Sequence, residues 1–271
     1  MLNNNQQLRE LFTLPPIQPS ASTALAIPDM PPQQTVTGDH EVDAVLWLQS
    51  VVKTGNQGLI DKALEAAKQI KTPMKVLSDR YAHHASQANP KNTFAVLFAT
   101  MGFGELEKQA KRAIEQASRR HEALSRFGDI DALFANTPAE DACVKALNRA
   151  KKNDRNGFVT YDEEAAAKRF AKHPALVPTT IDDCLYAMEY SERLYFLRGS
   201  TVDYAGDTIP QVYAHETYCF TMMASIQPRD EQEAMRAFEY LQKEGRDQWS
   251  DAPAIYRNLI VSGWTTREVA A

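Results

Sequence analysis

From Glu41 onward the apolar residues recur at three- and four-residue intervals almost without interruption, which restricts the chain to helices packed on helices. Val42, Val45, Leu46, Leu48 and Val52 mark one helix, Leu59, Ala63, Ala66, Ala67 and Ile70 a second, and Val76, Leu77 and Tyr81 a third after Pro73. The breaks between them are short: 54–58, Thr72-Pro73 and Asn89-Pro90. Connections of that length join neighbouring helices in bundles. The rhythm continues through Thr93–Met101 and a Gly102-Phe-Gly104 break into a long helix from about Glu105 to Phe127, with Leu106, Ala110, Ile114, Ala117, His121 and Leu124 on one stripe. His121, so placed, is expected to be satisfied by a hydrogen bond.

The second half uses the same grammar: helices over 138–150, 162–172, 180–198, 209–226, 230–244 and 251–261. Thr180 with Asp183, and Asp230 with Glu233, have capping-box spacing, while Gly199 and Gly245 stand where a helix should stop. No alternating run is long enough to propose a sheet, and no repeat of 20–50 residues is found. The expected fold class is all-α: two helical lobes, 39–151 and 152–271, behind a tail. The tail, residues 1–38, holds six of the 14 prolines, eight Asn or Gln and one basic residue. It is expected to stay disordered unless something holds it.

Composition removes several function classes. The net charge of −5 offers no overall attraction to nucleic acid or anionic membrane, although residues 1–160 carry 19 basic against 17 acidic side chains, so a basic patch belongs to the first half. Three dispersed cysteines, Cys143, Cys184 and Cys219, give neither a disulfide framework nor a zinc ribbon and fit a reducing compartment. The N-terminus lacks a signal-peptide pattern. The longest apolar run, Phe94–Phe103, is about half of the ~20 residues a membrane span needs. A cytoplasmic protein without membrane association is expected.

The sharpest local motif is Lys152-Asn-Asp-Arg-Asn-Gly-Phe-Val-Thr-Tyr-Asp-Glu163, which resembles an EF-hand loop over twelve residues. Asp154, Asn156 and Glu163 stand at ligand positions 3, 5 and 12, with Gly157 at the sharp turn. The resemblance would imply a calcium site, but Lys152 occupies the first ligand position and no second EF-hand is present. The competing expectation is a tight turn at Asn156-Gly157, with Phe158 and Val159 in the core and Asp162, Glu163 and Glu164 favouring the next helix through its dipole. No metal and no cofactor is assigned. His215 and Cys219 lie one helical turn apart without a nameable third ligand, so His215 is expected at a helix edge and Cys219 in the core.

No P-loop, third dinucleotide-fold glycine or nucleophile elbow is found, so no catalytic residue is named and a non-catalytic protein is favoured over an enzyme. Two recognition readings remain. The first is an adaptor or inhibitor that binds another protein through the C-terminal lobe, the N-terminal tail or both. Leu8, Leu11 and Phe12 share one helical face in the tail. The helices over 181–198 and 209–226 are apolar on more than one side, which buries them centrally or against another subunit and leaves a homo-oligomer open. Tyr186, Tyr190 and Met223 are their candidate contacts. The second reading, placed behind the first, is a nucleic-acid-binding regulator using Lys68, Lys71, Lys75, Arg112, Arg119 and Arg120. Residues 66–77 have a helix-turn-helix rhythm. Against that reading, acid-then-base pairs four apart, such as Glu107 with Lys111, belong to a solvated helix.

Overall fold

The computed structural model describes residues 3–18, 29–88, 90–155, 157–202 and 208–261. The chain divides into a smaller unit, Gln18–Ser125, and a main unit made of Met1–Ile17 with Arg126–Ala271. Both are helical, as expected, but the division falls elsewhere than at 151.

The smaller unit holds α2 (His40–Val52), α3 (Gln57–Ala67), α4 (Met74–Ala88), α5 (Thr93–Thr100) and most of α6 (Leu106–Phe127). Side-chain caps begin three of them, at Asp39, Asn56 and Asn92, each accepting orphan amide donors of the first turn. One core cluster joins Leu48, Val51, Val52, Ile60, Ala63, Leu106 and Ala110; a second joins Val42, Val45, Leu77 and Phe103. Residues expected in the tail contribute here. Asp43 accepts bonds from the Thr37 amide at 2.8 Å and the Gly38 amide at 3.1 Å, and the Trp47 indole donates to Pro31 O at 2.8 Å. On α6, Leu106, Ala110 and Ala123 are buried and Ile114 packs on the core, but His121 is exposed. The stripe therefore turns away from His121, which needs no buried hydrogen bond. Gly55 sets the α2–α3 turn with φ +68°, and a Cβ there would meet Ala117 Cβ at 2.8 Å and Ala113 O at 2.9 Å. Backbone and packing both require glycine at this point.

The main unit is built around α10 (Ile181–Gly199), which packs on α11 (Pro210–Met222), α12 (Glu231–Lys243) and α1 (Gln6–Leu11). Its buried residues, among them Ile181, Leu185, Met188, Tyr190, Leu194 and Leu197, point in several directions. A helix apolar all round is here the central one of its unit. The unit also holds α7 (Ile130–Phe134), α8 (Pro138–Ala146) and α9 (Glu163–Phe170), the last two packed on α11, and α13 (Ala252–Val261), packed on α12. The segment 126–151 belongs to this unit because Leu133, Ala139, Cys143 and Leu147 are buried, and Glu140, 2 % exposed, binds Arg198 of α10 at 2.6 Å. Thr137 and Glu140 form a reciprocal capping box. At Thr180 and Asp230 only half of the expected box forms. Asp183 turns its carboxylate to Asn5 and Arg9, and Glu233 turns its own to the amides of Asp182 and Arg229.

Between α8 and α9, where no strand was expected, β1 (Lys152–Arg155) and β2 (Phe158–Tyr161) pair antiparallel with Lys152 opposite Tyr161. Four-residue strands are too short for alternation to stand out in a sequence. Gly157 makes the turn at φ +86°, and its amide donates to Asp154 Oδ1 at 2.9 Å. Phe158 is 56 % exposed, contrary to expectation, and the residue the hairpin buries is Tyr161.

The first part of the tail is held by the body of its own chain. Asn5 caps α1 and ties it down: its amide donates to Asp183 Oδ2 at 2.8 Å and its side-chain amide to Pro174 O and Val177 O at 2.7 and 2.8 Å. Arg9 meets Asp183 Oδ1 at 2.9 Å. Leu8 and Phe12 are buried, and Phe12 stacks on His215 at 4.8 Å between ring centroids and meets Tyr190 edge-on at 5.5 Å. His215 therefore sits in the core rather than at a helix edge. Its Nε2 lies 2.9 Å from Leu176 O, and because a carbonyl only accepts, that nitrogen carries the proton.

Two outcomes are expected. Gly55→Ala combines a left-handed backbone with an overlap against α6 and should destabilise the smaller unit by about 1–3 kcal/mol, read from its denaturant midpoint. Burial lowers His215 to about 4, opposed only by its bond to Leu176, so the folded state resists a proton that the unfolded state accepts from about pH 6.5 downward. Stability is then full above about pH 6.5 and falls as pH drops towards 4, by roughly 2 kcal/mol at pH 5. Urea unfolding at pH 7 and pH 5 should show this for the native chain and lose it in His215→Phe.

Candidate functional site

Most of the protein-binding residues expected from sequence are spent on the fold. Leu8, Phe12, Tyr190 and Met223 are buried within the main unit and Leu11 is half-buried, so these side chains have little surface to offer a partner. Tyr186 is half-buried, with its hydroxyl 2.7 Å from Thr13 Oγ1 and Arg9 over its ring. The cationic candidates lie in the smaller unit. Lys68, Lys71, Lys75, Arg112, Arg119 and Arg120 are exposed, and Lys68 is bound to Glu65 at 2.7 Å. Of the calcium candidates, Asp154 sits on a hairpin strand bonded to the Gly157 amide, Glu163 opens α9, and Asn156 lies outside the described residues. Among the described residues no group of three or more His, Cys, Asp or Glu side chains is arranged to hold a metal ion. The three cysteines are free and buried, with burial pushing each thiol up, which makes them poor nucleophiles.

Two surfaces stand out instead. The first is α5 in the smaller unit. Asn92 caps it by accepting from the Ala95 amide at 3.0 Å, but none of its residues is buried. Phe94, Leu97, Phe98 and Met101 follow helical spacing along one face and are 71, 58, 66 and 63 % exposed. No charged residue occurs from Asn92 to Gly104. Around this stretch, from Lys71 to Arg112, seven basic side chains stand against three acidic ones. No helix among the described residues is long and apolar enough to cross a membrane.

The second is a cleft of about 570 Å³ in the main unit, between α10, α11 and the β1–β2 turn. Its charged groups are Glu192 from α10, Glu216 from α11 and Arg246 from the turn after α12. Arg246 Nη2 lies 3.6 Å from Glu216 Oε2, and its guanidinium faces the Trp249 ring at 4.8 Å and those of Phe220 and Tyr240 at 5.8 Å. Burial pushes the Glu216 carboxyl up, against the pull of Arg246 and of a hydrogen bond from Ser191. Glu192 is also pushed up, first by burial and then by sharing a hydrogen bond with Glu244, which Lys243 holds at 2.8 Å. Phe158, Tyr195 and Tyr213, 56, 45 and 42 % exposed, form aromatic walls. Two carboxyls facing one guanidinium in a cleft can bind a cation, which in turn favours their ionised forms.

Sequence reasoning missed both surfaces. The Phe94–Phe103 run is plain in the sequence as an apolar stretch too short for a membrane span, but its exposure is decided by tertiary structure. Glu192, Glu216 and Arg246 belong to no local motif; the available signal was the glutamates, Glu189 and Glu192 in one and Glu216 in the other, of two helices otherwise apolar on several sides. No protein-family model, curated protein or solved structure matches the chain.

Proposed function

We propose that this is a non-catalytic helical adaptor or inhibitor that binds another protein through the apolar face of α5. The observation that carries the reading is the exposure of Phe94, Leu97, Phe98 and Met101 along one turn-to-turn stripe. A contiguous apolar surface of this kind is a common mark of an interaction site. The excess of basic over acidic residues between 71 and 112 favours a partner whose apolar helix or groove is edged by carboxylates. Free, buried cysteines are compatible with the cytoplasm as the working compartment. Nucleic acid is the weaker reading, because the centre of this basic region is a charge-free apolar helix that offers nothing to a phosphate.

The double substitution Phe94→Ser with Phe98→Ser tests the reading. Both side chains are exposed, so stability should stay within about 0.5 kcal/mol of the native chain. Tagged native protein recovered from its own extract should keep its bound protein after nuclease treatment, and the variant should lose it. Material that leaves on nuclease treatment would transfer the case to nucleic acid. A native dimer that the variant dissolves, seen by light scattering, would make the partner a second copy.

A further inference from the structure

We propose that the cleft between α10, α11 and the β-hairpin turn is a binding site for an organic cation carrying a primary alkylammonium group. The claim is independent of the α5 reading and rests on other residues. A volume of about 570 Å³ suits a small ligand rather than a bare ion. The lining supplies two carboxyls, Glu192 and Glu216, against one guanidinium. Arg246 is itself engaged: rings of Trp249, Phe220 and Tyr240 surround it, and it stands 3.6 Å from Glu216. That separation exceeds the roughly 2.7–2.9 Å of a close charge-assisted hydrogen bond, and beside Arg246 and the Ser191 hydroxyl the two oxygens of Glu216 keep acceptor sites for another donor. The walls suit the same ligand. Phe158, Tyr195 and Tyr213 are aromatic faces of the kind that attract ammonium groups, and Val159, Ile209 and Pro210 give apolar contact for a methylene stem.

A neighbouring pocket of about 260 Å³ shares part of this lining, Phe158, Pro210 and Tyr213, and also contains Tyr161. That residue is 8 % exposed and its hydroxyl has no hydrogen-bond partner. Buried hydroxyls are rarely left in this state.

The charged and titratable groups around the site are Glu192 and Tyr195 on α10, Tyr213 and Glu216 on α11, Tyr240, Lys243 and Glu244 at α12 and its end, and Arg246 beyond it. A bound ammonium favours the ionised form of Glu192 and Glu216.

Calorimetric titration of the full chain with 1,4-diaminobutane tests this. The expected result is a Kd of about 1 mM or tighter for a ligand of this size. Glu216→Gln should weaken binding at least tenfold. Tyr213→Ser, a half-exposed position, should also weaken it while the melting temperature holds, which separates loss of the site from loss of the fold. Nα-acetyl-lysine amide serves as the second ligand: tighter binding than the diamine identifies a lysine side chain of a peptide as the source of the ammonium, and weaker binding a free amine. If neither amine binds, if 1,4-butanediol binds as well as the diamine, or if Glu216→Gln and Tyr213→Ser both bind like the native chain, the proposal is wrong.

Discussion

The carboxylate of Asp183 is the group on which the main unit is organised. It is buried at the start of the central helix, and burial alone would drive its proton affinity up. Donors from the Asn5 backbone, Arg9 and Thr179 more than reverse this and hold it below its ordinary value. The carboxylate thereby joins three things that lie far apart in the chain: the N-terminal helix, the connection before α10, and α10 itself. An isolated buried charge is costly, whereas one with several donors fixes the geometry of everything that donates to it. Leu8 and Phe12 follow from that placement. They reach the core because Asn5 and Arg9 set where the six-residue helix lies.

The same segment explains why the core histidine stays neutral. Phe12 stacks on His215 on one side, Phe170 meets it edge-on at 5.1 Å on another, and Leu176 O takes its hydrogen bond at 2.9 Å. The thiol of Cys219, at 3.7 Å from Nδ1, is too weak a partner to change that. A ring so enclosed is a structural polar group. The carboxyls of the cleft differ from it in being close enough for the charge of Glu192 to act on Glu216.

The helices themselves were legible from residue spacing and caps. Thr180 and Asp230 begin α10 and α12 as capping residues should, and the apolar pattern of α10 correctly marks a helix enclosed on several sides. What spacing could not supply was the identity of the neighbour. Leu8, Leu11 and Phe12 define a face, yet nothing local says that the face lies against α10. Asp183 and Glu233 have the spacing of box-closing acids, but each has better donors brought to it by tertiary structure. The cleft was least legible, because Glu192, Glu216 and Arg246 become a constellation only when α10, α11 and the turn after α12 are folded together.

Two short helices of this chain show how differently the same apolar content can be used. α1 has six residues and α5 eight, both below the length at which a helix is stable alone. α1 gains its stability from burying Leu8 and Phe12 in the core. α5 carries a comparable load in Phe94, Leu97 and Phe98 but buries none of it; it is held by its Asn92 cap and by packing against α4. Fully burying side chains of this size is worth about 1.5–3 kcal/mol each, so several kcal/mol of favourable transfer remain unrealised on that face. A partner that covered α5 would gain that transfer. The contrast within one chain is thus between apolar surface used to hold a helix in place and apolar surface left outward on a helix already held by its cap and its neighbour.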